Sequence, residues 1–441
     1  MRYLLVVWLM VIGGIAFMDR TNISIAGIQM GREYHIDNTH LGWVFSAFLI
    51  GYATFQVPGG ILARKWGARK VLTFSVIWWG VFTALTAAVP AGAAAGLLIL
   101  ILVRVALGAG EAVMFPAANQ FEERWIPMNE RGRSNGIIFG GVGLGSALAP
   151  PILTAIILRY GWHLSFWFCA VLGVLAGIVW YVAARDTPEQ HPWVNPAERD
   201  MIIGGRGDVD KKPKRAHSDS DKKKIPWGKI LVSRNILAIT GSYFTYGYVA
   251  WIFFSWFYIY LAQVRGLSLK TSAWYSMLPF LAMTVGCLLG GAASDWLAKH
   301  VSDRVGRSYL PCIALVLTGI LLAVGASAHS AVTASVVLAC GAGALYVSQS
   351  CYWSVTADYA GDFTGPVSGA MNMGCQIGGA VTASVTPLIA AHFGWMASFF
   401  TAAVLALLGG LAWLVVDPDA RLEEPSGGMT EPLLEGSTLA E

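Results

Sequence analysis

The sequence predicts an all-α integral membrane protein, with twelve transmembrane helices arranged as two bundles of six. Of its 441 residues, 56% are hydrophobic and only 13% are charged, whereas soluble domains carry about 25% charged residues. The apolar runs are about 18 to 25 residues long, which is typical of membrane-spanning helices and not of the ~10-residue alternating strands of a barrel. One long polar segment divides these runs into two groups.

Six apolar runs precede the polar segment 184–235, and six follow it. The segment includes the run DVDKKPKRAHSDSDKKK, which has no apolar face and is typical of a flexible basic linker. We therefore expect an N-terminal bundle at 1–183, a C-terminal bundle at 236–420 and a tail at 421–441. The predicted spans lie near residues 3–29, 41–62, 71–90, 93–119, 134–158, 164–183, 236–262, 273–297, 309–328, 332–358, 366–390 and 394–416.

The placement of charge predicts the orientation of the spans. The first run, MRYLLVVWLM, is not followed by a small-residue cleavage site, so we expect it to be retained as the first span. Lys and Arg favour cytoplasmic loops. The loops and chain ends on one side hold 24 of these residues, and the loops on the other side hold 4. Both termini and the linker are therefore predicted to be cytoplasmic, in an inner or plasma membrane.

The two halves repeat one another at an offset of 233 residues. Because six spans separate corresponding positions, both repeats have the same orientation in the membrane. Parallel six-helix repeats place a solute site at their interface, near the middle of the bilayer. The residues that recur are Gly136, Gly141, Gly145, Gly161, Trp162, Ser165 and Phe166, matched by Gly369, Gly374, Gly378, Gly394, Trp395, Ser398 and Phe399.

Four ionisable residues lie inside predicted spans: Asp19 and Arg20 in the first, and Arg104 and Glu111 in the fourth. A charge at membrane depth costs roughly 2.5–3.5 kcal/mol, so such residues normally face a bundle interior or a water-filled path. The Arg20 guanidinium has paired N–H donors that match a carboxylate, which predicts an anion-binding role. Neutralisation of Asp19 or Glu111 is the alternative role for this arginine.

Glu111 is the predicted carrier of a coupling proton. It lies in the apolar run LGAGEAVMF, where burial disfavours the charged form of a carboxyl group. A structural partnership with an arginine is the alternative, and Asp19 could share the proton as a coupled pair. Arg104 precedes Glu111 by seven residues, so the two project from one helix face about 10 Å apart. For Arg104, a gating or structural role and a binding role are both open.

Several motifs together resemble the major facilitator superfamily. The loop at 58–70 reads PGGILARKWGARK, and the corresponding loop of the second half, at 290–296, reads GGAASDW. The first span contains DRTNIS, the second follows the pattern GWV-FSAF-GY-Q-PGG, and the fourth contains Arg104 and Glu111 followed by Pro116. These features are similar to the anion:cation symporter family, and within it to bacterial carriers of galactonate, glucarate and hexuronates.

The resemblance implies a two-bundle fold and proton-coupled transport of a small organic anion. It also implies that an acidic residue in each signature loop makes an interdomain contact that latches one conformation. In the second half, this acidic residue is Asp295. In the first half, the corresponding position is occupied by Arg64. A latch of the usual kind is therefore in doubt in the first half.

Polar and aromatic residues in the spans are candidates for substrate binding, because sugar hydroxyls need fixed donors and acceptors against an aromatic wall. The resemblance places Tyr52 on the face of the second span that is turned toward the site, and Gln376 where the family often has an amide. In the fifth span, Gly141 cannot offer the polar side chain expected of a sugar-acid carrier. For Tyr246, anchoring at the membrane interface is an equal alternative. The further candidates are Tyr243, Tyr246, Trp353 and Asn372.

The sequence contains no Walker loop and no catalytic constellation, so we predict a transporter and not an enzyme. We predict a secondary active importer of a small organic anion, a hexonate, hexuronate or aldarate, by proton symport with alternating access. A carrier of aromatic or dicarboxylic acids, a non-transporting membrane anion sensor and an antiporting exporter are the alternatives. We expect a monomer in the lipid bilayer, with no cofactor, no metal ion and no nucleic-acid partner.

Overall fold

Twelve membrane helices, named α1 to α12, form the fold in a computed structural model that describes residues 1–91, 95–127, 130–205, 227–360 and 364–420. No strand occurs among these residues. The first half contains α1 (Arg2–Glu33), α2 (Asn38–Trp66), α3 (Ala68–Ala88), α4 (Gly96–Trp125), α5 (Arg131–Tyr160) and α6 (Trp162–Ala183). The second half contains α7 (Arg234–Ser255), α8 (Leu269–His300), α9 (Val305–Ser327), α10 (Ala331–Ala360) and the stretch Thr364–Ala412, which divides at Gly394 into α11 and α12.

The predicted all-helical, twelve-span fold is confirmed. Ten stretches of the described chain are long and apolar enough to cross a membrane, and the last of them, Val367–Ala412, contains both α11 and α12. Helix α2 adds a further segment of 29 residues. Several helices are longer than the predicted runs, because a helix continues past the hydrocarbon core into the interfacial region, where hydropathy gives no signal.

Matching glycines confirm the internal repeat. The break between α5 and α6 lies at Gly161 (φ 84°, ψ 164°), and the break between α11 and α12 lies at Gly394 (φ 83°, ψ 161°), 233 residues later. Side chains are strained at such positive φ values, so glycine is favoured at both turns. Gly14 of α1 packs against the backbone of α5, and Gly247, also 233 residues later, packs against the backbone of α11. The first and fifth helices of each half are thus paired in the same way.

Three of the membrane helices are interrupted. Helix α4 divides into Gly96–Glu111 and Met114–Trp125, and Pro116 cannot donate a backbone hydrogen bond across that break. Helix α7 ends at Ser255 and is followed by a short α-helical turn, Phe257–Ile259, and a π-helical turn, Tyr260–Val264. Helix α10 divides at Ser348. Irregular backbone at membrane depth is tolerated where it is buried in protein or lines a cavity.

Part of the predicted linker is folded. Ile202 of the helix Pro196–Gly205 is fully buried against the first half, and the His191 ring contacts the Ala183 carbonyl at 2.8 Å. Glu198 accepts a hydrogen bond from the backbone N–H of Arg2 at 3.0 Å. Residues 184–205 therefore differ from the flexible linker expected over the whole of 184–235. The basic run at 208–224 and the tail 421–441 lie outside the described residues.

Candidate functional site

A buried ion pair joins α1 to α4. Arg20 donates from Nε to Oε1 of Glu111, and the two side chains are 3% and 0% exposed. Arg20 lies beyond the middle of α1, and Glu111 is the last residue of the first segment of α4, where the helix is interrupted. The structure thus brings together the two residues predicted to bind an anion and to carry a proton.

Asp19 and Arg104 complete a cluster of four buried charges. Thr83 of α3 donates a hydrogen bond to Asp19 Oδ2 at 2.6 Å. Arg104 is 1% exposed, and its charge interacts with the carboxylates of Asp19 and Glu111. Two guanidinium groups therefore balance two carboxylates, and Arg104 lies in this charged cluster and not at a mouth of the protein.

The charged cluster is only partly satisfied by hydrogen bonds. Buried side-chain atoms normally find a partner, yet several atoms of the cluster have none among the residues that the structure describes. These atoms are Asp19 Oδ1, Arg20 Nη2, Arg104 Nε and Nη1, and Glu111 Oε2. Each of the four charged side chains therefore has at least one donor or acceptor without a partner in the described structure. A purely structural ion network would be expected to pair all of them.

Three aromatic rings surround the Arg20 guanidinium. Its central carbon lies 4.3 Å from the ring centroid of Phe17, 4.5 Å from that of Tyr52 and 5.4 Å from that of Phe48. Such cation–π contacts stabilise a guanidinium away from water. The Phe48 ring centroid also lies 5.0 Å from the guanidinium carbon of Arg104, so this ring contacts both arginines. Tyr52, predicted to face the site, is therefore in contact with it.

A cluster of tyrosines forms the opposing wall in the second half. The centroid of Tyr243 lies 4.4 Å from that of Tyr352 and 5.1 Å from that of Tyr246, and Tyr246 lies 5.5 Å from Tyr346. Gln349 donates a hydrogen bond to the Tyr243 hydroxyl at 3.0 Å. Tyr346 is close enough to Arg20 to interact with its charge. The tyrosine wall therefore lies on α7 and α10 of the second half.

Three residues of this tyrosine wall were missed by the sequence reasoning: Tyr346, Gln349 and Tyr352. Polar residues spaced three apart in the run LYVSQSCYW were the signal that could have identified them. Tyr246, for which interfacial anchoring was an equal alternative, is 3% exposed and lies within the wall. Its position excludes the anchoring role, because an anchor must reach the membrane surface.

The remaining predicted site residues lie on α10, α11 and α5. Gln376 is 8% exposed and its Oε1 has no partner in the described part of the chain, and Asn372 lies one turn before it. Trp353 is 39% exposed, unlike its buried neighbour Tyr352 in the tyrosine wall. Gly141 packs against the backbone of Met10 in α1 and does not face the second half.

The proposed latch residues lie far from the charged cluster. Asp295 is exposed near the end of α8, and the side chain of Arg64 lies outside the described structure. These residues belong to the end of the molecule where Asn235 hydrogen-bonds Asp417, which we call the terminal end. A cavity of about 460 Å³ opens at this end along α2 and α4, lined by Gly60, Pro116, Asn119, Gln120 and Glu123.

Hydrogen bonds hold the halves together at the opposite, distal end. Ser46 of α2 donates to the Ala380 carbonyl of α11 at 2.6 Å, and Asn38 donates to Gln263 at 3.1 Å. Nearer the site, Ser24 of α1 donates at 2.7 Å to the carbonyl of Ser255, the last residue of α7. The charged cluster is thus covered on the distal side.

The sequence model of the Major Facilitator Superfamily matches residues 9–383. The chain belongs to this superfamily. It is 32% identical over 413 residues to a protein of Cupriavidus necator named "Probable sulfoacetate transporter SauU", with 93% of each chain covered. It is 25% identical to a hexuronate transporter of Bacillus subtilis, with 92% of each chain covered. The solved structure of a D-xylose-proton symporter superposes with a TM-score of 0.73 at 13% identity, covering 95% of this chain and 99% of that one.

These relatives confirm the resemblance to the anion:cation symporter type and the prediction of a transporter rather than an enzyme. The chain is a multi-pass membrane protein of a group that transports small organic anions. The roles predicted for individual site residues, the orientation of the termini and the coupling to protons remain predictions.

Proposed function

We propose that the protein imports a sugar acid together with a proton by alternating access. The observation that carries the proposal is the buried pair of Arg20 and Glu111, with Arg20 Nη2 and Glu111 Oε2 unpaired among the described residues. Ionisable residues at membrane depth mark transport pathways. The names of the relatives, which include a hexuronate carrier, support a sugar acid as the substrate.

The geometry suggests how proton and anion are linked. A proton on Glu111 removes the charge that holds Arg20, and the guanidinium is then free to bind a substrate carboxylate through two parallel N–H donors. Without the proton, the substrate must compete with Glu111 for the same guanidinium. Asp19 is held separately by Thr83, so it is the second site at which a proton can add.

The conformation of the protein in the structure corresponds to one stage of the proposed transport cycle. The excess of basic residues in its loops favours a cytoplasmic position for the terminal end. The protein is then inward-facing, sealed at the distal end, with Arg20 returned to Glu111 as expected after both substrate and proton have left. Rocking of the 1–183 bundle against the 236–420 bundle, within a monomer, would reopen the site to the outside.

The test replaces Glu111 by glutamine in proteoliposomes with an imposed pH gradient. Glu111→Gln should abolish accumulation of the acid against its gradient but preserve counterflow exchange, since a neutral side chain mimics the protonated state. Asp200→Asn, at an exposed carboxylate on the linker helix, is the control and should accumulate normally. Accumulation by Glu111→Gln would refute the coupling role, and an absence of any flux in the wild type would favour the sensor alternative.

A carrier of aromatic acids is a second candidate, favoured by the tyrosine wall opposite Arg20. An aromatic ring can stack on tyrosine rings, and the flat face of a sugar can pack on the same surface. Both kinds of acid are therefore compatible with the tyrosine wall. Competition separates the two candidates: hexuronate should displace the bound substrate if the first is right, and phenylacetate or a hydroxybenzoate if the second is right.

A further inference from the structure

We propose that Gln56 positions water between Glu111 and the cavity at the terminal end, and that the proton released by Glu111 leaves along this water. The inference rests on the proposed coupling role of Glu111 and adds the route by which the proton departs. Glu111 gives its proton to a neighbouring water, and the excess proton passes along hydrogen-bonded waters to the solution. The carboxylate that remains then pairs with Arg20, as it does in the structure.

Gln56 lies at the same depth in the membrane as Glu111. Gly108 of α4 packs against the backbone of α2 at Tyr52. Gly59 of α2 packs against α4 two residues after Glu111. Gln56 lies between these two contacts along α2, and Glu111 lies between them along α4. Because the two helices run side by side from one contact to the other, the two residues lie at one level.

One face of α2 connects the charged cluster to the cavity. Tyr52, Gln56 and Gly60 are spaced four residues apart, so they follow one another along this face. The ring centroid of Tyr52 lies 4.5 Å from the guanidinium carbon of Arg20, and Gly60 lines the cavity. Gln56 is therefore the side chain that lies between the cluster and the cavity on this face.

The second segment of α4 lines the other side of the route. It begins three residues after Glu111, and four of its residues line the cavity at the spacings of one helix face: Pro116, Asn119, Gln120 and Glu123. The cavity volume of about 460 Å³ far exceeds the ~30 Å³ that one water occupies. Amide groups offer both donors and acceptors to water. The cavity thus has the room and the polar lining that ordered water needs.

The acceptors along this route are not used within the protein. The Oε1 atoms of Gln56 and Gln120 and the Oε2 atom of Glu111 are buried without a hydrogen-bond partner among the described residues. An amide that serves only the packing of α2 would be expected to have a partner. Water donates two hydrogen bonds, so water held between these groups satisfies the acceptors and forms a path for the proton.

The test compares two modes of transport by Gln56→Met in proteoliposomes. Methionine is similar in size but is only a weak acceptor of hydrogen bonds. Net uptake driven by a pH gradient requires Glu111 to lose its proton in every cycle, whereas counterflow exchange shuttles the loaded protein and keeps the proton in place. We expect net uptake to slow about tenfold, as for the loss of one hydrogen bond, with less than about a twofold change in exchange.

A solvent isotope effect provides a second measurement. The ratio of net uptake rates in H₂O and D₂O should rise in Gln56→Met, because proton release then limits the rate, and the ratio for exchange should not change. Gln190→Met makes the same substitution at an exposed glutamine of the linker and is the matched control, with wild-type behaviour in both modes.

The outcomes separate this inference from the proposed function. Wild-type net uptake by Gln56→Met, or an equal loss of uptake and exchange, overturns the role of Gln56 and leaves that of Glu111 intact. An absence of pH-driven uptake in the wild type overturns the proposed function and this inference with it. Gln120→Met should show the same difference between the two modes, and it decides the question if Gln56→Met does not fold.

Discussion

Replacement of Arg20 by lysine tests the anion-binding role while keeping the positive charge. The arginine uses Nε for Glu111 and leaves Nη2 unpaired in the described structure. An ammonium is a point charge, so it cannot supply two parallel donors in fixed geometry. Loss of one charge-assisted hydrogen bond to the substrate costs about 1.5–3 kcal/mol. This corresponds to an increase in the dissociation constant of about tenfold to about 150-fold.

The assay is calorimetric titration of the purified variant with the transported acid, together with its thermal unfolding. Arg104→Lys is the matched control, because it makes the same change in the same cluster at an arginine that forms no ion pair with Glu111 in the described structure. We expect Arg104→Lys to lower the unfolding temperature with less than about a threefold change in affinity. An Arg20→Lys protein that binds with wild-type affinity would show that Arg20 serves only to neutralise its neighbours.

Three further predictions concern the surroundings of the site. Thr83→Val removes the 2.6 Å hydrogen bond to Asp19 and should destabilise the fold by about 1.5–3 kcal/mol; an unchanged unfolding temperature would contradict this. Ser46→Ala weakens the distal seal by about 0.5–1.5 kcal/mol, and spin-label distances across that end should show a larger open population. At the terminal end, the hydrogen bond from Arg2 lowers the pKa of Glu130 below 4.5, so its contribution to stability is present above pH 4.5 and lost as the pH falls. Glu130→Gln should therefore unfold at a lower temperature at neutral pH and lose less stability on acidification than the wild type.

The membrane architecture could be predicted because its causes are local in the sequence. Apolar runs of bilayer length are visible without a structure. The free-energy cost of placing an ionisable residue such as Arg20 or Glu111 within such a run is equally clear from the sequence. The repeat was visible as well, because Gly161 and Gly394 are needed wherever the chain turns with positive φ. The folded part of the linker was missed because Ile202 is a single apolar residue in a polar segment, and its burial depends on the surface beneath it.

The sequence by itself determined that four ionisable residues lie within apolar spans and that the chain consists of two similar halves. Only the tertiary structure decided which charges meet. Asp19 and Arg20 are adjacent in the chain, but neighbouring residues of a helix project about 100° apart. Arg20 therefore pairs with Glu111 on α4, while Asp19 turns to Thr83 on α3. The tyrosine wall likewise arises from α7 and α10, whose approach depends on packing between distant segments.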